Sequence, residues 1–264
     1  MIDEIPLSGG IANPGAVVRV GDTVRRPAGP HTPAVHAFFD HLRERGFNGV
    51  PRPRGIDERN REILDFIDGD VPLPPFPAWA WREEALVSVA QLTRHFHDSA
   101  ASFAPPPDAA WDFAAPVGWA GRSVGHHDIC RENVIFRDGL AVAIVDFDFA
   151  GPADPIFDVA ATAYYWMPFV APEDLDDVGV EVDHAARLRM FVDAYGLPRA
   201  DRRRMLDGFG AHSAWGERMV MSRIARGDVG FVEMAEGGWA GRKERANRWY
   251  ARERGRLERA LFRP

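Results

Sequence analysis

Between residues 5 and 67 the apolar positions come in short alternating runs, broken every few residues by turn formers. Ile5-Pro6-Leu7 leads into a glycine-rich stretch, residues 16–20 and 23–27 flank a Gly21-Asp22 turn, and further runs cover 50–56 and 61–67. Runs of this length predict strands, and their number predicts a β-rich first lobe. One segment breaks the pattern. After Thr32-Pro33, the apolar Val35, Phe38, Phe39 and Leu42 recur at helical spacing, which predicts a single helix on the sheet with Pro33 in its first turn.

The proline-dense stretch at residues 69–79 can continue neither a helix nor a central strand, so the lobe boundary is placed there, dividing the chain into 1–70 and 71–264. Residues 81–97 are helix-periodic through Leu86, Val89 and Phe96, and residues 123–149 return to strand character around a polar loop. Residues 183–262 are nearly all helix-periodic, interrupted at Gly196-Leu197-Pro198 and by the glycines between 227 and 241. The pattern predicts an α+β chain with a small β-rich lobe and a larger, mainly helical one.

Composition narrows the function. At 264 residues and 46% hydrophobic, the chain can bury a core in each lobe. No apolar run approaches the roughly 20 residues of a membrane span, and Met1–Gly10 has no signal-peptide character, so a cytoplasmic protein without a membrane partner is expected. Cys130 is the only cysteine, which excludes an internal disulfide. The net charge of −7 hides an asymmetry: residues 196–264 hold 16 Lys+Arg against 9 Asp+Glu, leaving −14 on the rest, a balance suited to metal or cationic ligands. The C-terminal arginines alternate with acids in helical patterns and predict a solvated helix face, not a nucleic-acid surface. Oligomeric state leaves no mark in the sequence.

The densest polar cluster is residues 125–136, where His127-Asp128 is followed by four residues and then Asn133. Phosphoryl transfer needs a carboxylate that accepts the attacking hydroxyl's proton, and an amide oxygen nearby that can hold Mg2+ without competing for that proton. Asp128 and Asn133 match those roles. Thirteen residues on, the apolar run 141–145 ends at Asp146, a second candidate metal ligand. Asp138-Gly139 lies between them, a favoured hairpin dipeptide that folds Asn133 and Asp146 to the same end of a ribbon.

The segment 125–160, with His126-His127-Asp128, Asn133, Asp146 and Asp154-Pro155-Ile156-Phe157-Asp158, resembles the core of the aminoglycoside-phosphotransferase and choline-kinase-like family of small-molecule kinases. The resemblance implies a protein-kinase-like two-lobe fold and transfer of the γ-phosphate of ATP or GTP to a hydroxyl of a small, amine-bearing molecule such as an aminoglycoside or amino alcohol. It implies Asp128 as catalytic base, with Asn133 and Asp146 on Mg2+ and Asp148 on the second metal or the loop. Asp158 would brace the catalytic loop by accepting backbone N–H groups, or cap a helix at Val159-Ala160, and His127 would orient the loop. The segment after Asp146 is too short for a protein kinase's activation loop.

The first lobe carries fainter signals. Gly9 and Gly10 could arch over phosphates. The family's strand lysine is missing, because Lys243 is the only lysine in the chain. Arg25 is taken in its place, ahead of Arg26, with His36 and Asp40 offered by the helix where a glutamate is usual. Asp65, Phe66 and Ile67 resemble the hinge whose backbone reads the base. The acidic Glu173, Asp174 and Asp177 could attract a cationic acceptor. The competing reading is a nucleotide-binding or interaction module of the same fold with impaired transfer, which the missing lysine–glutamate pair favours and the intact Asp128, Asn133 and Asp146 oppose.

Overall fold

Antiparallel pairing organises the first lobe of the computed structural model, which describes residues 3–7, 15–175 and 181–263. Strands β1 (Ile5–Pro6), β2 (Val18–Val20), β3 (Thr23–Pro27), β4 (Pro53–Ile56) and β5 (Arg61–Asp65) form one sheet in the order β1-β2-β3-β5-β4. Gly21 makes the β2–β3 turn at φ 61°, a conformation most side chains disfavour. In the β3–β5 register Arg26 lies directly opposite Glu62. Helix α1 (Thr32–Glu44) buries Val35, Phe38, Phe39 and Leu42, the positions its periodicity selects. The ring of Phe38 meets those of Phe96 and Phe147 at 5.9 and 6.2 Å between centroids, so α1 joins a core that continues into the helical part of the chain.

Helix α2 (Glu83–Ala100) starts two residues later than residue 81, because Arg82 is extended and residues 78–81 form a separate 3-10 turn. Glu83 and Glu84 then occupy the first turn, where the helix dipole favours negative charge. Four short strands follow: β6 (Ser123–Gly125), β7 (Val134–Arg137), β8 (Leu140–Ile144) and β9 (Gly151–Ala153). β7 and β8 form the expected hairpin, with Asp138 at φ 52° and Gly139 at φ 77°, the two positive angles of a type I′ turn. β6 pairs with β9, so the polar loop and the hairpin sit between two strands that hold each other.

Helix α3 (Pro155–Trp166) begins at the proline, because the side chain of Asp154 accepts the N–H of Ile156 at 2.9 Å and Pro155 suits a first turn. The helix start considered at Val159-Ala160 is thus corrected to four residues earlier. Helices α4 (His184–Tyr195), α5 (Arg202–Ala225), α6 (Val229–Glu236) and α7 (Trp239–Phe262) complete the structure. Gly196 ends α4 at φ 75°. C-terminal arginines pair with acids of neighbouring helices, Arg203 with Glu258 at 2.6 Å and Arg254 with Asp207 at 2.5 Å. Among the described residues no helix is long and apolar enough to cross a membrane. The antiparallel sheet and the helical lobe give the two-lobe α+β architecture expected from the sequence.

Candidate active site

The loop after β6 is held from below by a buried carboxylate. Asp158, one turn into α3, accepts the backbone N–H groups of His126 at 2.8 Å and His127 at 2.7 Å. Its Oδ2 also lies 2.9 Å from His97 Nε2, and His97 Nδ1 lies 2.8 Å from the Tyr195 hydroxyl. Burial alone would raise the Asp158 pKa, yet His127 and His97 hold it well below the usual carboxylate range. This clamp fixes His127 at φ 64°, outside the conformations most side chains adopt. It also requires glycine at 125, where a Cβ would meet Asp158 Oδ2 and His127 Cε1 at 2.7 Å each. His127 Nε2 lies 2.9 Å from the Gly151 carbonyl, which fixes the ring against β9.

Asp128 follows at once. The Tyr165 hydroxyl donates to its Oδ1 at 2.7 Å, and Asn133 Nδ2 donates to its Oδ2 at 3.1 Å and to its carbonyl at 2.8 Å. Burial pushes the Asp128 pKa up to about 8, against the lowering effect of the Tyr165 bond. With its nitrogen turned to Asp128, Asn133 leaves its amide oxygen facing the other way. The Val145 N–H donates to the Asn133 carbonyl at 2.9 Å, which ties the end of the hairpin to the loop. Asp146 then adopts φ 64°. The ribbon therefore presents Asp128, Asn133 and Asp146 together, as their spacing predicts.

Above this ribbon lies a cleft of about 340 Å³ between the sheet and the hairpin. Val24, Leu64 and Phe66 give it apolar walls, and Asn133, Asp146 and Asp148 line its polar end. Arg26 reaches across from β3: Nη1 lies 3.1 Å from Asp146 Oδ1, Nη2 contacts Asp148 Oδ1, and Nε lies 3.2 Å from Glu62 Oε1. Glu62 Oε2 in turn lies 2.8 Å from His36 Nε2. Burial alone would lower the Arg26 pKa, but the three carboxylates outweigh it and keep the guanidinium charged. His31 bridges Asp148 and Asp112 at 3.5 and 3.3 Å.

Several first-lobe positions differ from expectation. Arg25 is a correction: side chains of a strand alternate, so Arg26 shares the cleft face of Val24, while Arg25 turns away to Thr23 Oγ1 at 2.6 Å and Asp57 at 3.9 Å. Asp40 is exposed, and the acid that meets the arginine is Glu62. Asp65, Phe66 and Ile67 do line the cleft, although the Phe66 N–H is already donated to Asp22 at 2.9 Å. Gly9 and Gly10 lie outside the described residues.

The acidic run is placed elsewhere. Asp174 is held by Arg245 at 2.5 Å, because the turn after α3 packs against α7, and Glu173 lines a separate groove with Trp249 and Arg256. Neither lines the cleft above the ribbon, and Asp177 lies outside the described residues. Sequence reading missed Glu62, Tyr165 and His31, whose roles come from strand register and helix packing that no local spacing encodes.

The profile of the phosphotransferase enzyme family matches residues 111–206, the span from the strip before β6 into α5. The chain is 33% identical over 223 residues to the trifolitoxin immunity protein of Rhizobium leguminosarum bv. trifolii, covering 81% of this chain and 83% of that protein. Among solved structures, a choline/ethanolamine kinase family protein from Mesorhizobium loti superposes with a TM-score of 0.64 at 18% identity, over 99% of this chain and 92% of that one. The amicoumacin kinase hAmiN, in complex with AMP-PNP, Ca2+ and Ami, superposes with a TM-score of 0.58 at 10% identity, over 82% and 80% of the two chains. With the geometry of this loop and these relatives taken together, the chain belongs to the phosphotransferase enzyme family.

Proposed function

We propose that the protein is an active phosphotransferase that moves the γ-phosphoryl group of ATP or GTP onto a hydroxyl of a small molecule with the help of Mg2+. In this reading residues 1–70 form the nucleotide lobe and 71–264 carry the catalytic loop and the acceptor site. The observation that carries it is the joined set of Asp128, Asn133 and Asp146, tied by the Asn133 bond to Asp128 and the Val145 bond to Asn133.

The acceptor hydroxyl would sit against Asp128, with Tyr165 and Asn133 fixing the carboxylate's direction. As its oxygen bonds to the γ-phosphorus, the bond to the departing nucleoside diphosphate breaks and the hydroxyl proton passes to Asp128. Asp146 and the outward amide oxygen of Asn133 suit Mg2+, which takes one or two protein oxygens and completes its shell with phosphates and water. Bound there, the metal would neutralise charge on the β- and γ-phosphates. Asp148 is a candidate second ligand. Arg26, the nearest fixed cation, would transfer from these carboxylates to phosphate oxygens. The backbone N–H of Ile67, which has no partner among the described residues, offers an edge for the base.

The amine-bearing acceptor expected from the acidic run gains no support from Asp174, which Arg245 already neutralises. Nucleotide binding tests the reading directly. Calorimetric titration of ATP and of GTP should show binding that needs Mg2+ and is lost in Asp146→Ala. Failure of both nucleotides to bind would sink the reading and favour the impaired module.

A further inference from the structure

Next to the catalytic loop, on the helical side, the chain forms a second cavity of about 710 Å³. One face of α5 builds its wall: Ala211, Trp215, Arg218, Ser222 and Arg226 follow one another at three- and four-residue steps. Phe149 and the strip around Asp112 close the opposite side. The cavity neighbours the site already described: Phe149 in its lining directly follows Asp148 in the chain, and its ring lies 5.2 Å from that of Trp215. Trp215 also lies 5.4 Å from Phe113, which stacks on His127 at 3.9 Å.

Its charge is positive. Three arginines, Arg218, Arg223 and Arg226, face a single acid, Asp112. Arg223 is taken by Asp228 at 3.3 Å, and Asp112 lies 3.3 Å from His31. Among the described residues Arg218 and Arg226 form no ion pair. Arg226 caps α5, where the helix dipole welcomes a cation, but Arg218 lies two turns earlier, beyond that influence. A guanidinium fork with no carboxylate partner, above an aromatic wall, matches a planar or tetrahedral anion attached to an apolar body. A polycation entering the same space would meet like charge.

We propose that the acceptor of this phosphotransferase carries an anionic group, a carboxylate or a phosphate, bound by Arg218 and Arg226, while its apolar part lies on Trp215 and its hydroxyl reaches Asp128. The inference rests on the phosphotransferase reading. The transfer is the same balanced step, with the acceptor oxygen gaining the phosphoryl group, the nucleoside diphosphate leaving and the proton passing to Asp128.

The test measures nucleoside diphosphate release from the full chain with Mg2+ and ATP or GTP. One acceptor set is glycerate and 4-hydroxyphenylacetate for carboxylates and glycerol 3-phosphate for phosphates; the other is ethanolamine, choline and kanamycin. Tryptophan fluorescence, compared with a Trp215→Phe variant because the chain has eight tryptophans, reports binding at Trp215. We expect stimulation or binding by the anionic set alone, a loss of about tenfold or more in the Arg218→Glu/Arg226→Glu double variant, and a smaller loss in Arg218→Lys, which keeps the charge but not the fork. Loss of anion binding on charge reversal upholds the inference even if no probe is turned over. It is overturned by stimulation with the cationic set, by anion binding indifferent to charge reversal, or by no anionic probe binding at all. Calorimetry of Mg2+–nucleotide on the wild type separates the two ideas, since its failure removes the phosphotransferase reading itself.

Discussion

A single guanidinium, that of Arg26, faces Glu62, Asp146 and Asp148, and its neighbour Arg25 faces none of them. Replacing the fork by an ammonium keeps the charge but loses bidentate geometry, so Arg26→Lys should weaken Mg2+–nucleotide binding by about tenfold. Arg25→Lys should leave it unchanged; calorimetry on the two variants checks both. In the proposed reaction Tyr165 would be a positioning residue, acting on substrate only through Asp128, to which its hydroxyl donates. Removing its hydroxyl lets Asp128 swing, and a misplaced catalytic group costs up to about 100-fold. Tyr165→Phe should therefore lower kcat by about 10- to 100-fold, with the nucleotide Kd unchanged. Steady-state kinetics alongside calorimetry separates this from a general loss of fold.

Asp158 ties α3 to the loop after β6 and to His97 on α2. Its folded pKa lies below the ordinary aspartate value, so its contribution to stability is present above about pH 3.9 and is lost as pH falls through the folded value. Asp158→Asn should cost roughly 3 kcal/mol at pH 7, and the gap from wild type should narrow as the pH is lowered below 4. Urea denaturation across that range measures it; a gap independent of pH would contradict the clamp. The β7–β8 hairpin was legible because Asp138-Gly139 specifies its turn locally, and α1 and α2 because their buried faces recur at helical spacing. β9 was not separately legible: its three residues, Gly151-Pro152-Ala153, carry no period, and only pairing with β6 makes them a strand. The choice of Arg26 over Arg25 turned on which face of β3 met the cleft, and Glu62 on the register of β3 with β5, both set by tertiary packing.

At the scale of the molecule, the core running from α1 through Phe96 and Phe147 couples the sheet to the catalytic ribbon, so Arg26 on one side and Asp146 on the other are held within reach across the cleft. The second-lobe site was legible because a short, contiguous segment carries it. The acceptor side was not, because α5, Phe149 and the strip near Asp112 meet only in the folded chain. The decisive measurement is transfer from γ-labelled nucleotide by wild type and Asp128→Asn, with nucleotide affinity measured on the same samples. If Asp128 takes the proton, the variant binds Mg2+–nucleotide as wild type does and loses about 100- to 10,000-fold in kcat. Undiminished transfer by Asp128→Asn would contradict the role assigned to this carboxylate and to the loop built around it.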